Sequence, residues 1–130
     1  MAAQANVVVK KTDGTTDVTF TGVQGATAME PAIWQNTASS LVYSNRDSLA
    51  FRSRDNGTKT ARRIEVDAKF VVRRTENSLE VNKGIIPLSF TVPIPNWVTD
   101  AEANEAIDQF LNLLSSAHIR SHIKGRFAPN

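Results

Sequence analysis

The chain has 130 residues, of which 41% are hydrophobic and 22% are charged, and its formal net charge at pH 7 is +2. This composition is typical of one ordinary globular domain spanning residues 1–130, and it argues against intrinsic disorder. Cysteine is absent, which excludes disulfides, thiolate metal sites and thiol nucleophiles. No apolar run approaches the length of a membrane span, so we expect no membrane partner.

Charge is distributed unevenly along the chain. Nine basic and four acidic residues lie between Arg46 and Arg74, whereas the segment from Val98 to Ala117 has four acidic residues and no basic one. The basic segment suits a polyanion such as nucleic acid. The alternative is a pair of solvated strands with ordinary surface charge, and the charge pattern alone does not decide between the two.

The first part of the chain is predicted to be β-structure. Two β-rich runs flank Asp13 and Gly14, a pair that is typical of hairpin turns. Residues 31–38 are predicted to contain a short strand. We therefore assign residues 1–22 to an N-terminal β-hairpin and residues 31–96 to a main sheet.

The main sheet is predicted from alternating polar and apolar residues. This alternation is typical of antiparallel strands that have one face in a core and the other in water. The predicted sheet has five antiparallel strands. The alternation is clearest in residues 47–54 and 63–72, breaks at 76–78, and resumes in residues 79–81 and 85–94. Pro87 and Pro93 lie in the last strand and Pro95 follows it directly, which predicts a bulge or a position near the sheet edge.

Towards the C-terminus the hydrophobic period changes from 2 to 3.6. Thr99 and Glu102 match a capping box at the start of a helix. A second, short helix is predicted from His118, and Gly125 favours its end. The two helices occupy residues 98–127, and strands followed by helices indicate an α+β fold.

The apolar face of the predicted sheet is too large for two short helices to cover. An uncovered apolar face of that size promotes aggregation. We therefore expect an obligate homodimer in which the helices of each copy cross the sheet of the other. The candidate dimer-interface residues lie on the first helix and are Ile107, Phe110, Leu111 and Leu114.

No catalytic motif, cofactor motif or metal site is evident. His118 and His122 are four residues apart, but no third metal ligand accompanies them. Glu65 and Asp67 lie between basic residues and are more typical of a cross-strand ion-pair ladder than of an acid–base pair. We therefore expect no enzyme activity, no cofactor and no bound metal.

The order of elements resembles the coat proteins of small single-stranded RNA bacteriophages of the levivirus type. The resemblance covers nearly the whole chain. Its features are the length, the hairpin at Asp13-Gly14, the short strand with Ile33-Trp34, the sequence Phe-Thr-Val-Pro-Ile at 90–94, and an acid-capped helix followed by a short terminal helix. It implies interlocked homodimers with sheets joined edge to edge. It also implies an icosahedral shell, usually of T=3 type, around a single-stranded RNA genome, with assembly in the cytoplasm of a bacterial host and a final location in the virion.

The same resemblance implies an RNA-binding site on the polar face of the sheet. The matching positions are Ser48, Arg52, Arg54, Arg63, Lys69, Ser89 and Thr91. Basic side chains suit phosphates, and hydroxyls suit bases or sugars. Glu65 stands where that family has a basic residue, and no aromatic side chain lies on this face to stack on a base. These departures leave RNA packaging as the expectation and recognition of an operator hairpin as an open question.

Two alternatives remain beside the coat-protein interpretation. A dimeric RNA-binding regulatory module would use the same basic face without assembling, and an enzyme would need catalytic residues that the sequence lacks. In the coat-protein interpretation, the loop within residues 75–83 would line the symmetry axes of the shell. Assembly into a shell distinguishes the first alternative, because a regulator stops at a dimer.

Overall fold

A computed structural model of the chain describes residues 4–27 and 29–129. The chain divides into two compact units, Met1–Pro93 and Ile94–Asn130. The strands are β1 (Val7–Lys10), β2 (Asp17–Gln24), β3 (Ala32–Gln35), β4 (Ser48–Asp55), β5 (Ala61–Glu76) and β6 (Leu79–Pro95), and the helices are α1 (Asp100–Ser115) and α2 (Ala117–Gly125). A single 3-10 turn, Tyr43–Asn45, lies between β3 and β4. Within the described ranges, no helix is long and apolar enough to cross a membrane.

The strands form one six-stranded sheet in the order β1-β2-β3-β4-β5-β6. This corrects the predicted five-stranded sheet in two ways. The N-terminal hairpin joins the sheet, because β2 pairs with β3. The segments 79–81 and 85–94 are one strand, β6, which continues through Gly84 at a φ of +147°. That conformation is open to glycine and rare for other residues, so the glycine allows the strand to continue.

The connection between β5 and β6 is a tight turn rather than a loop. Asn77 and Ser78 have φ values of 51° and 63°. Positive φ at both central residues is typical of a type I′ hairpin turn, whose twist matches that of the flanking strands. The side chains of Lys83 and Glu76 form an ion pair of 2.5 Å beside it. The expected loop within residues 75–83 is therefore reduced to two residues.

Few apolar residues of the sheet are buried. Phe20 on β2 and Phe70 on β5 make an edge-to-face contact with ring centroids 6.5 Å apart. Only four apolar residues in the described ranges are buried, each to 7% exposure: Phe20, Ala32, Ala61 and Val71. A sheet of six strands normally buries one whole face, so this unit exposes apolar surface that a folded protein usually covers.

The second unit consists of the two predicted helices. Thr99 and Glu102 form the expected capping box at the start of α1, which satisfies backbone N–H groups that lack a helical partner. The Ser116 side chain caps α2, and Arg126 ends it in the left-handed conformation. No residue of either helix is buried.

Candidate nucleic-acid interface

The polar face of β4 and β5 contains all five candidate residues predicted on these strands. Antiparallel pairing sets Ser48 opposite Lys69 and Arg54 opposite Arg63, and it sets Arg52 opposite Glu65. Residues that are directly opposite, and alternate residues along a strand, lie on the same face of a sheet. The two strands therefore bring these hydroxyl and basic groups to one surface.

At the centre of this surface, three arginines surround one carboxylate. Arg54 Nη2 and Arg63 Nε each lie 2.8 Å from Glu65 Oε1, and Arg52 Nη1 lies 4.0 Å from Glu65 Oε2. The Glu65 side chain is 14% exposed, whereas those of the arginines are 42–51% exposed. Hydrogen bonding from Arg54 lowers the pKa of Glu65, and the charges of the other two arginines act in the same direction. We call these four residues the guanidinium cluster.

The ion-pair ladder predicted for Glu65 and Asp67 is present for Glu65 alone. Glu65 pairs across the strands with Arg52 and Arg54. Asp67 lies opposite Ala50 on the same face and is exposed, with no hydrogen bond or ion pair to any described residue. The difference arises from the register, since a basic residue opposes Glu65 and alanine opposes Asp67.

The polar face continues onto β3 through a residue that sequence reasoning missed. Gln35 lies opposite both Ser48 of β4 and Thr21 of β2. It is 7% exposed, and its Oε1 atom has no hydrogen-bond partner within the described chain. The sequence of Ala32–Gln35 is too short to show which face Gln35 lies on. Only the pairing of this strand with β4 places Gln35 on the polar face.

Ser89 and Thr91 lie on β6, the strand next to β5 in the sheet. Both are exposed, and they alternate with the partly buried Phe90 and Val92, as predicted. In the part of the chain that the structure describes, no hydrogen bond joins Ser89 or Thr91 to the arginines. These two positions remain candidates on the basis of the strand alternation.

A second polar cluster fixes the connection between β3 and β4. Asp47 is buried, and its carboxylate accepts hydrogen bonds from the Val71 amide at 2.9 Å and from the Arg73 guanidinium at 2.9 and 3.3 Å. These bonds to Asp47 raise the pKa of Arg73. Glu80 of β6 accepts from Ser40 Oγ at 2.5 Å and from Asn45 Nδ2 at 3.1 Å, which lowers the pKa of Glu80. The cluster therefore joins this connection to β5 and β6.

The candidate dimer-interface residues lie along one side of α1. Ile107 and Leu114 are half-buried, and Phe110 and Leu111 are 42% and 49% exposed. The rings of His118 and His122 on α2 contact each other, with their centroids 4.6 Å apart. Within the described ranges, no group of three or more histidine, aspartate or glutamate side chains could hold a metal ion.

Comparisons of the amino-acid sequence with protein families and with curated proteins found no match. Comparison of the structure with solved structures found virus particles. The virus-like particle of Beihai levi-like virus 21 matches with a TM-score of 0.84 and 15% identity over 99% of both chains. That of bacteriophage NT-214 matches with a TM-score of 0.84 and 13% identity over 99% of this chain and 100% of the other. The chain has the fold of phage coat proteins.

Two further structures support this assignment. The bacteriophage EMS014 coat protein matches with a TM-score of 0.81 and 14% identity over 99% of this chain and 100% of the other. The capsid protein of bacteriophage GA matches with a TM-score of 0.72 and 17% identity over 95% of both chains. The coat-protein fold thus extends over nearly the whole chain, and the resemblance inferred from the order of elements is confirmed at the level of fold.

Proposed function

We propose that this chain is a viral coat protein that assembles as homodimers into an icosahedral shell around single-stranded RNA. The observation that carries the proposal is the full-length match with coat proteins and virus-like particles, with TM-scores up to 0.84. Under this proposal the protein is structural rather than enzymatic, is assembled in the cytoplasm of a bacterial host and resides in the virion.

The free edge of β6 supports a dimer. β6 is the last strand of the sheet and has 17 residues. Its successive side chains point to opposite faces, and Ile85, Ile86 and Leu88 are 50–53% exposed. A long apolar edge promotes aggregation unless another strand covers it. A second copy of β6 would continue the sheet across the dimer.

The helices support the same dimer. No residue of α1 or α2 is buried, and even the apolar side chains of Leu111 and Ile123 are 49% and 59% exposed. The exposed apolar side chains of the helices therefore need a covering surface, and the apolar face of the sheet in a second copy would provide one. We propose that Ile107, Phe110, Leu111 and Leu114 contact that sheet.

The polar face supports RNA as the enclosed partner. Arg52, Arg54, Arg63 and Lys69 supply positive charge on one surface, with Ser48 beside them. Phosphate contacts of this kind hold nucleic acid without regard to base sequence. We propose Ser89 and Thr91 as additional hydrogen-bonding residues on β6.

Electron microscopy of the purified recombinant protein, with absorbance at 260 and 280 nm on the same fraction, tests the proposal. We expect uniform spherical shells with a spectrum dominated by nucleic acid. A small species that binds RNA would instead support the alternative, a dimeric RNA-binding regulatory module that does not assemble. A small species without RNA would remove both proposals.

A further inference from the structure

We propose that Arg52, Arg54 and Arg63 form one phosphate-binding platform and that Glu65 is the positioning residue at its base. The inference rests on the proposed RNA-binding function and specifies which groups of the polar face hold the RNA backbone. It assigns an active role to an acidic residue on a surface that would bind a polyanion.

The first argument is that the Glu65 side chain is less exposed than those of the three arginines around it. Glu65 is 14% exposed, while the guanidinium groups around it belong to side chains that are 42–51% exposed. The carboxylate therefore lies beneath the arginines, and an approaching phosphate meets guanidinium N–H groups before it meets the carboxylate. Each guanidinium has five N–H donors, so bonding to Glu65 leaves most of them for a ligand.

The second argument is the like-charge pair across the strands. Arg54 and Arg63 are directly opposite each other. Like charges in that position repel and destabilise strand pairing. Arg54 donates a hydrogen bond to Glu65 Oε1, and Arg63 Nε forms an ion pair with the same oxygen, each at 2.8 Å, so the carboxylate allows the two guanidinium groups to lie side by side. The three arginines and one carboxylate retain a net charge of +2.

The third argument concerns Arg52, which lies furthest from the carboxylate in the cluster. Its Nη1 lies 4.0 Å from Glu65, beyond hydrogen-bonding distance, and its buried Nε has no hydrogen-bond partner within the described chain. Arg52 therefore makes no hydrogen bond to Glu65, and its terminal N–H groups, rather than the buried Nε, are left for a phosphate. Bidentate contact between arginine and phosphate is among the stronger charge-assisted hydrogen bonds.

The test compares two substitutions that change the net charge equally on the same face. Glu65→Gln removes the carboxylate beneath the arginines. Asp67→Asn removes a carboxylate that is exposed, lies two residues away on the same strand and has no partner among the described residues. If acidic residues only repelled RNA, both substitutions would tighten binding.

The measurement is the affinity of the full-length protein for a fluorescently labelled uridine 20-mer as a function of salt concentration. We expect Asp67→Asn to bind as tightly as the unsubstituted protein or more tightly. We expect Glu65→Gln to bind RNA about five- to tenfold more weakly despite its extra positive charge. Without the carboxylate, the arginine side chains are not held in place before binding, and the entropy of ordering them is lost when RNA binds. The salt dependence of Glu65→Gln should be shallower, by about 0.7 in log–log slope for each phosphate that the arginines no longer neutralise.

Three results would contradict the inference or its basis. Binding by Glu65→Gln as tight as that of Asp67→Asn would overturn the positioning role of Glu65. Absence of salt-dependent RNA binding by the unsubstituted protein would instead overturn the proposed function, which separates the two failures. If Glu65→Gln does not fold, Arg54→Gln should lower the slope by about 0.7, and an unchanged slope would overturn the platform.

Discussion

At the scale of single residues, burial decides how much an ion pair contributes. The side chains of Asp47 and Arg73 are 12% and 23% exposed, and the Asp47 carboxylate also accepts the Val71 amide. The ion pair of Asp55 and Arg62 spans a similar distance, 3.1 Å, but both side chains are more than half exposed. Exposed pairs contribute little, whereas breaking a buried pair leaves an uncompensated charge.

We therefore predict that Asp47→Ala lowers the free energy of unfolding by about 3 kcal/mol, because Arg73 and the Val71 amide lose their partner. Asp55→Ala is the matched control and should lower it by less than about 1 kcal/mol. Urea denaturation followed by circular dichroism measures both. Equal effects of the two substitutions would contradict the role assigned to burial.

At the scale of elements, local hydrogen bonds hold the β1–β2 hairpin. The Asp13 carboxylate accepts hydrogen bonds from the Thr15 and Thr16 amides at 2.9 and 2.8 Å and from the Thr16 hydroxyl. These bonds, that of the Thr16 hydroxyl first, lower the pKa of Asp13 from 3.8 to about 2. Gly14 follows with a φ of +74°, which glycine adopts without strain.

A folded-state pKa below the unfolded one means that the ionised carboxylate stabilises the folded state. That contribution is complete above about pH 4 and is lost as the pH falls through about 2. We predict that Asp13→Asn makes the melting temperature less dependent on pH across this window than it is in the unsubstituted protein. Thr16→Val, which removes the hydroxyl donor, should have a smaller effect in the same direction. An unchanged pH dependence in Asp13→Asn would show that the Asp13 carboxylate does not contribute to the stability of the folded state in this pH range.

At the scale of the whole molecule, the central question is what covers the apolar surface. We propose that a second copy does, through β6 and the Leu114 side of α1. Each substitution in a twofold-symmetric interface acts twice. A polar group placed there at a cost of about 2 kcal/mol per copy would raise the dimer dissociation constant about a thousandfold.

We predict that Leu114→Gln yields monomers or aggregates at micromolar concentration, whereas Leu41→Gln retains the dimers and the shells that they form. Leu41 is 98% exposed in the connection between β3 and β4 and is the matched control. Sedimentation velocity separates these species. A dimer in Leu114→Gln as stable as in the control would place the interface elsewhere.

Local patterns were sufficient to predict most elements. The hairpin at Asp13-Gly14, the alternating strands and the Thr99 capping box depend on neighbouring residues alone, and the structure confirms them. Residues 79–81 and 85–94, which carry the strand pattern separately, form one strand, because Gly84 allows the strand to continue at a positive φ. A glycine at position 84 is compatible with either a break or a continuous strand, and pairing with β5 decides between the two.

The sequence by itself determined the fold class and the division of the sheet into a polar and an apolar face, because period-2 alternation assigns a residue to a face whatever its partner strand. Only the tertiary structure decided which residues on that face meet. Register places Glu65 between arginines of two strands and leaves Asp67 opposite alanine. A shift of the register would exchange these partners, and that information lies in the pairing of distant segments rather than in either segment alone.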